Sequence, residues 1–155
     1  MGRLYSIALS GTAFTTVADL IEIQPADDIP VLIHGFRVWQ TTELGDAAEE
    51  IIPLAIIRGF TSSGSGGLSF TPVPKNHRDA NAAMTAEIGN TTVASGGTAT
   101  VPYSTGWNVR APLEVVFTPE QRIRADQGNT TIVLRLWATP ADSITIACSL
   151  DVEEL

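Results

Sequence analysis

Short runs rich in β-branched and aromatic residues recur along this chain of 155 residues and limit its fold more than any other feature. The runs are RLYSIALS, ADLIEIQ, VLIHGFRVWQ, EIIPLAIIRGF, GTATVPYS, LEVVFTP, TTIVLRLWAT and SITIACSLDVEEL. Clusters of Gly, Pro, Asn, Asp and Ser separate them, a pattern typical of strands joined by turns. The only stretch compatible with a helical turn, LGDAAEEI, is too short to organise a fold. The sequence therefore predicts an all-β, jelly-roll-like antiparallel β-sandwich of about eight strands.

Two of these runs have apolar residues on both faces of the predicted strand. In Val31–Gln40 one face is predicted to hold Ile33, Gly35, Arg37 and Trp39, and the other Leu32, His34, Phe36 and Val38. In TTIVLRLWAT the two predicted faces are Ile132, Leu134 and Leu136 against Val133, Arg135 and Trp137. Side chains alternate between the faces of a strand, so apolar residues on both faces are expected where two sheets pack or subunits meet.

The segment 59–87, GFTSSGSGGLSFTPVPKNHRDANAAMTAE, interrupts the strand pattern. Neither side of it holds a complete set of strands, so we expect one domain over 1–155 with a long loop inserted at 59–87. SGSGG lacks the spacing of a phosphate-binding loop, and no helix pattern follows it. Flexible glycines and serines followed by the stiffer TPVPK indicate an arm. We expect Leu68, Phe70 and Val73 to be buried on a neighbouring subunit, with packing on their own sandwich as the alternative.

The net charge of the chain disfavours two classes of binding partner. Nine basic residues against 17 acidic ones give a net charge of −8, which disfavours binding to nucleic acid or to anionic membranes. No run reaches the roughly 18 apolar residues of a membrane span, and MGRLYSIALSG lacks the apolar core of a signal peptide. We therefore expect a soluble product made in the cytoplasm.

Residues suited to catalysis are few. The single cysteine, Cys148, allows no internal disulfide, and its alternation with Ile144 and Ile146 predicts a small buried side chain. His34 lies in a predicted strand and is interpreted as structural. KNHRDA, with His77, is interpreted as a solvated or interfacial turn.

Two pairs of adjacent carboxylates complete the set of candidate acids and bases. Asp27 and Asp28, or Glu49 and Glu50, point to opposite faces if extended, so neither pair forms a dyad that shares a proton. PADDIP is interpreted as a turn. We expect no enzymatic activity, no cofactor and no metal.

The positions of the three tryptophans indicate whether the chain could bind a sugar. Trp39 and Trp137 lie in strand patterns and are expected in the core or at an interface, whereas Trp107 in STGWNVR is expected to be exposed in a turn. Exposed tryptophans offer stacking surfaces for sugar rings. A non-enzymatic jelly-roll binding module, lectin-like or receptor-binding, is therefore an alternative function.

Four stretches of the chain carry a family resemblance: GDAAEEI…IRGFTSSGSGG, TAEIGNTTVASGGTA, WNVRAPLE and PADS…LDVEEL. Together they resemble the capsid decoration, or cement, proteins of tailed bacteriophages, which are built on a jelly-roll sandwich. The resemblance implies a virion structural protein, a homotrimer made in the host cytoplasm that binds the major capsid protein on the outer capsid surface and stabilises it. A tail or spike component is the alternative within the virion.

A broad partner interface is expected in place of a catalytic site. The side chains predicted to contribute to it are Leu68, Phe70, Val73, Arg78, Trp107 and Arg110.

Overall fold

The computed structural model describes residues 2–41, 49–126 and 130–155. In this part the chain forms twelve strands and a 3₁₀ turn at Pro119–Gln121. The strands are β1 Arg3–Phe14, β2 Ala18–Gln24, β3 Val31–Gln40, β4 Ile51–Phe60, β5 Leu68–Phe70, β6 Val73–Pro74, β7 Thr85–Asn90, β8 Thr100–Asn108, β9 Leu113–Val116, β10 Ile123–Ala125, β11 Thr131–Leu136 and β12 Ile144–Glu154. Each of the eight predicted runs contains a strand, so the all-β prediction is confirmed. The predicted helical turn falls largely on 42–48, outside the described residues.

The strands form two antiparallel sheets of six strands that pack face to face. Sheet A has the order β10-β3-β12-β1-β6, with β9 also paired to β3, and sheet B has the order β5-β7-β2-β11-β4-β8. Within them, β1, β12, β3 and β9 pair in the order of one jelly-roll sheet, and β2, β11, β4 and β8 in the order of the other. The topology therefore agrees with the predicted jelly-roll-like sandwich.

Of the four remaining short strands, β10 pairs with β3, and β5, β6 and β7 come from residues 61–99, which are inserted between β4 and β8. In this insertion β7 pairs with β2 of sheet B, β5 pairs with β7, and β6 pairs with β1 of sheet A. Phe70 packs against the main core, and Met84 is buried in it. The backbone of the insertion thus pairs with both sheets of its own domain. Of the three apolar residues expected to be buried, Phe70 packs on that domain, the alternative interpretation, whereas Leu68 and Val73 are exposed.

The main core lies between the sheets, and its largest fully buried side chains are Trp107, Tyr5, Phe14, Ile7, Leu20 and Ile21. The predicted faces of β11 are confirmed, because Ile132 and Leu134 lie in this core while Val133 belongs to a separate apolar cluster. That second cluster consists of Ala55, Ile57, Phe60, Ala94 and Val133.

The predicted faces of β3 are wrong. Ile33 pairs with Val152 and Gly35 with Asp151, so His34 is an extra residue that shifts the register. After this β-bulge the alternation reverses, and Phe36 is buried in the same core as Ile33. Simple alternation does not anticipate a bulge.

Candidate interaction surface

Two segments of the insertion, 61–67 and 91–97, lie together across the outer face of sheet B. We call them the clasp. Their sequences, TSSGSGG and TTVASGG, are alike, and they pair crosswise. Ser62 and Ser95 exchange backbone hydrogen bonds of 2.9 and 3.0 Å, and Ser65 and Thr92 exchange bonds of 2.8 and 3.0 Å. The second position of each segment meets the fifth of the other, so the clasp has a local pseudo-twofold axis.

The same pseudo-symmetry extends to the attachment of the clasp. Its fourth positions, Gly64 and Ala94, are both buried and each donates its backbone N–H to a carboxylate of β2. Gly64 N lies 2.9 Å from Glu22 Oε2, and Ala94 N lies 2.7 Å from Asp19 Oδ2. Hydrogen bonds to a carboxylate are stronger than neutral ones. Two equivalent amides therefore fasten the clasp to one strand of the sheet.

Arg135 of β11 completes the attachment at Asp19. Its Nε and Nη2 lie 2.5 and 3.1 Å from the two carboxylate oxygens of Asp19, and Nη2 also donates to Ala94 O at 2.9 Å. The guanidinium lies over the Phe60 ring, 4.7 Å from its centre. Asp19 is fully buried and Arg135 is 8% exposed. Both charges are paired and hydrogen-bonded, which is the condition for burying them.

Glu22 is held by the first clasp segment and by β7. Ser63 Oγ donates to Glu22 Oε1 at 2.5 Å, and Asn90 Nδ2 donates to Glu22 Oε2 at 2.9 Å. The same Asn90 amide donates to Glu87, which lies directly opposite Glu22 across the strand pair. Among the described residues, no group of three or more His, Cys, Asp or Glu side chains could hold a metal. These contacts attach the first clasp segment to β2 and β7.

Beyond the clasp, the outer face of sheet B exposes apolar side chains near the start of β4. Ile51 is 71% exposed and Trp137 is 44% exposed. Trp137 N donates to Pro53 O at 2.9 Å, and Pro53 pairs with Gly106 of β8. A Cβ on Gly106 would lie 2.8 Å from Ile51 Cγ2, so these residues are in contact distance of one another. We call Ile51, Pro53, Gly106 and Trp137 the open patch.

Charged residues stand around one end of the open patch. Glu49 accepts a hydrogen bond from Asn108 at 3.4 Å, and its Oε2 lies 3.8 Å from Arg110 Nη1. Both carboxylate oxygens of Glu50 lie within 3.2 Å of Ala141 N, which places the exposed Asp142 nearby. Glu49 and Glu50 bind different groups, as expected for side chains that do not form a dyad.

The prediction that Trp107 is exposed is wrong. It is 1% exposed, pairs with Ile52 across β4 and β8, and packs in the main core. Its indole Nε1 donates to Ala111 O at 2.8 Å. The reason is that β8 continues to Asn108, so STGW is strand and not turn, and the alternation points Trp107 inward. Trp107 therefore contributes to stability and not to the surface.

The other residues of the predicted interface are more accessible. Leu68 on β5 is 71% exposed and Val73 on β6 is 55% exposed. Arg78 and Arg110 are also exposed, whereas Phe70 is half-buried against the core. Leu68 lies on β5 at one edge of sheet B and Val73 on β6 at an edge of sheet A, whereas Arg110 follows β8, at the opposite edge of sheet B. The predicted interface is thus divided among separate regions.

The remaining titratable residues of the sequence analysis lie in the following places. His34 Nε2 lies 2.7 Å from Glu153 Oε2. His77 is exposed in a turn closed by a hydrogen bond from Asp79 N to Asn76 O of 2.9 Å. Asp27 and Asp28 lie in the turn predicted from PADDIP, closed by a bond from Ile29 N to Ala26 O of 3.2 Å. Burial raises the pKa of the Cys148 thiol to about 12, as fits a small core side chain.

The open patch and the clasp were both missed by sequence reasoning, although the clasp had a signal. The repeat T-x-x-[GA]-S-G-G at 61–67 and 91–97 marks two equivalent segments. The open patch had a weaker one, since Ile51 and Pro53 share a parity on β4, and Trp137, just beyond the end of β11, continues the parity of Val133 and Arg135.

No protein-family model matches the chain, and no curated protein is similar to it in sequence. Among solved structures the chain has a weak similarity to a mutant VP2 protein of infectious bursal disease virus, in derived T=1 particles. The identity is 15% and the TM-score 0.20, over 99% of this chain and 40% of that chain. A TM-score this low does not show a shared fold or function. Among the described residues, no helix is long and apolar enough to cross a membrane.

Proposed function

We propose that this protein is a virion structural protein, a capsid decoration protein that binds the outer surface of a capsid and stabilises it. The observation that carries the proposal is the open patch, where Ile51 and Trp137 are presented to solvent on a paired and well-packed sheet. Exposed apolar clusters of this kind mark sites of protein contact. The resemblance of four stretches of the sequence to phage decoration proteins supports the choice of partner.

The architecture suits such a function. The clasp, which is part of the insertion, is fastened to the sandwich, so this part of the backbone loses little further conformational entropy when a partner binds. Several copies that each make a modest contact bind a shell firmly when they are joined in an oligomer. A homotrimer, as the resemblance implies, is part of the proposal. An acidic protein of net charge −8 is not hindered here, because a capsid shell encloses its nucleic acid.

Co-sedimentation tests the proposal. The purified protein is mixed with empty capsids of the phage that encodes it, and the pellet is assayed over a range of concentrations. Saturable binding, with a higher temperature for capsid disruption, is the expected result. Bovine serum albumin at equal concentration is the control for trapping in the pellet. The proposal is refuted if the protein binds neither empty nor DNA-filled capsids. Binding to purified tails instead would favour a tail or spike component.

A lectin-like module is the second candidate, and Trp137 is the observation that favours it. An indole that is 44% exposed beside the flat Pro53–Gly106 pair offers a platform for a sugar ring. A glycan array with the wild-type protein and Trp137→Ser checks this candidate. Binding of a defined glycan that the variant loses would replace the capsid proposal.

A further inference from the structure

The outer face of sheet B has two apolar areas, and the fold covers one of them. The clasp lies over Ile57, Phe60 and Val133, of which the most exposed is 6% accessible. The open patch on the same face is left uncovered by the described residues. Because Ile51 and Ile57 belong to the same strand and the same face, the difference lies in what covers them and not in their chemistry.

The charges near the open patch limit what can cover it. Among the described residues at that end of β4, Glu49, Glu50 and Asp142 lie with Arg110, so three carboxylates and one guanidinium give these four residues a net charge of −2. Two copies that met patch to patch would bring these acidic rims together, and like charges across an interface are unfavourable. A partner with cationic side chains around an apolar contact is complementary to the same surface.

We propose that the open patch binds a partner surface that presents an apolar side chain flanked by arginine or lysine, and not a second copy of this chain. This inference deepens the proposed function. It rests on that function in one respect, the choice of the capsid protein as the natural partner. Ile51 and Trp137 supply the apolar contact. Glu49, Glu50 and Asp142 supply orientation and faster association, because opposite charges steer the encounter.

Nuclear magnetic resonance with two synthetic peptides tests the chemistry without any capsid. One peptide alternates arginine with leucine, and the other alternates glutamate with leucine. The arginine peptide is expected to shift the Trp137 indole and Ile51 methyl signals, with an affinity that falls roughly tenfold between about 0.05 and 0.5 M salt. The glutamate peptide is expected to leave both signals in place. Equal shifts with the two peptides, or shifts confined to other residues, would overturn the proposal.

Variants identify the surface. Ile51→Ser and Trp137→Ser are expected to weaken binding of the arginine peptide at least about tenfold. The matched control is Val116→Ser on sheet A, which removes a side chain with the same 71% exposure as Ile51 and is expected to bind like the wild type. Equal affinity of Ile51→Ser and the wild type would show that the peptide binds by charge alone and would overturn the proposal. So would a dimer in analytical ultracentrifugation that Ile51→Ser abolishes, since the occupant would then be a second copy.

The same variants separate this inference from the proposed function. If the wild type binds the arginine peptide at the open patch but does not bind capsids, the proposed function fails and the inference stands. If the wild type and Ile51→Ser bind capsids equally well and the arginine peptide does not bind at the open patch, the inference fails and the proposed function stands.

Discussion

The outer face of sheet B has one half that the clasp covers and one half that it leaves open. The two halves differ in the contacts that their side chains make. Under the clasp, a buried ion pair and hydrogen bonds to backbone amides hold a segment rich in glycine and serine that has few apolar side chains of its own. In the open half the apolar side chains are present, but no described segment lies over them. The comparison teaches that polar anchors decide which part of an apolar face is covered by the described residues of the chain itself.

The largest expected effect is on the anchor of the covered half. Arg135→Ala leaves Asp19 buried without its guanidinium, and an unpaired buried charge costs about 3–5 kcal/mol of unfolding free energy. Urea denaturation measures the change. Asp142→Ala, at an exposed acid beside the open patch, is the control and is expected to change stability by less than about 0.5 kcal/mol. A loss below about 1 kcal/mol for Arg135→Ala would show that the ion pair does not anchor the clasp.

A matched pair of isoleucines on β4 compares the two halves directly. Ile57 is 3% exposed under the clasp and Ile51 is 71% exposed in the open patch. Ile57→Ala is expected to cost about 2–4 kcal/mol, since it removes buried methyl groups and leaves a cavity. Ile51→Ala is expected to cost less than about 0.5 kcal/mol. Thermal and urea unfolding of both variants measure the difference, and similar losses would mean that the open half is covered in solution.

The exposed apolar residues of the insertion, Leu68 and Val73, extend the comparison to self-association. Wild-type protein is expected to show a mass near three times 16.4 kDa by light scattering. Leu68→Ser with Val73→Ser is expected to weaken this assembly at least about a hundredfold, because each buried apolar side chain contributes roughly 1.5–3 kcal/mol. The isolated chain is expected to keep its melting temperature. Phe70→Ser is the contrasting variant, since its side chain packs on the core and its loss lowers that temperature. A monomeric wild type at micromolar concentration would contradict the trimer.

The smallest expected effect tests the pseudo-symmetry of the clasp. A Cβ at Gly64 would lie 2.5 Å from Thr92 O and 2.9 Å from Glu22 Oε2, so Gly64→Ala is expected to cost about 1–3 kcal/mol. At the equivalent position Ala94→Gly is expected to cost only about 0.5–1 kcal/mol. Hydrogen exchange at the amides of 64 and 94 locates the change. If Gly64→Ala leaves exchange and stability unaltered, the two segments are not packed as closely as described.

Local patterns predicted the strands of the sandwich because their side chains are selected by burial on one or both faces. The short strands β5, β6 and β7 were not predicted, because runs of three, two and six residues are too short to show a clear alternation. Trp107 was assigned to the surface because its neighbours are turn formers, and the inward alternation of β8 overrode them. The open patch depends on which strands become neighbours, and no single run of the sequence contains that information.

The short strands of the insertion also determine where another extended chain can add to the edges of sheet B. Without the insertion, the seven-residue β2 would form one edge of sheet B, and an edge strand with unpaired amides is a template for aggregation. Here β7 covers β2, and the outermost strand on that side is β5, with only three residues. Addition of a foreign strand to sheet B is therefore directed to the opposite edge, β8. That edge contains Pro102, which has no backbone N–H to donate and interrupts the row of free amides.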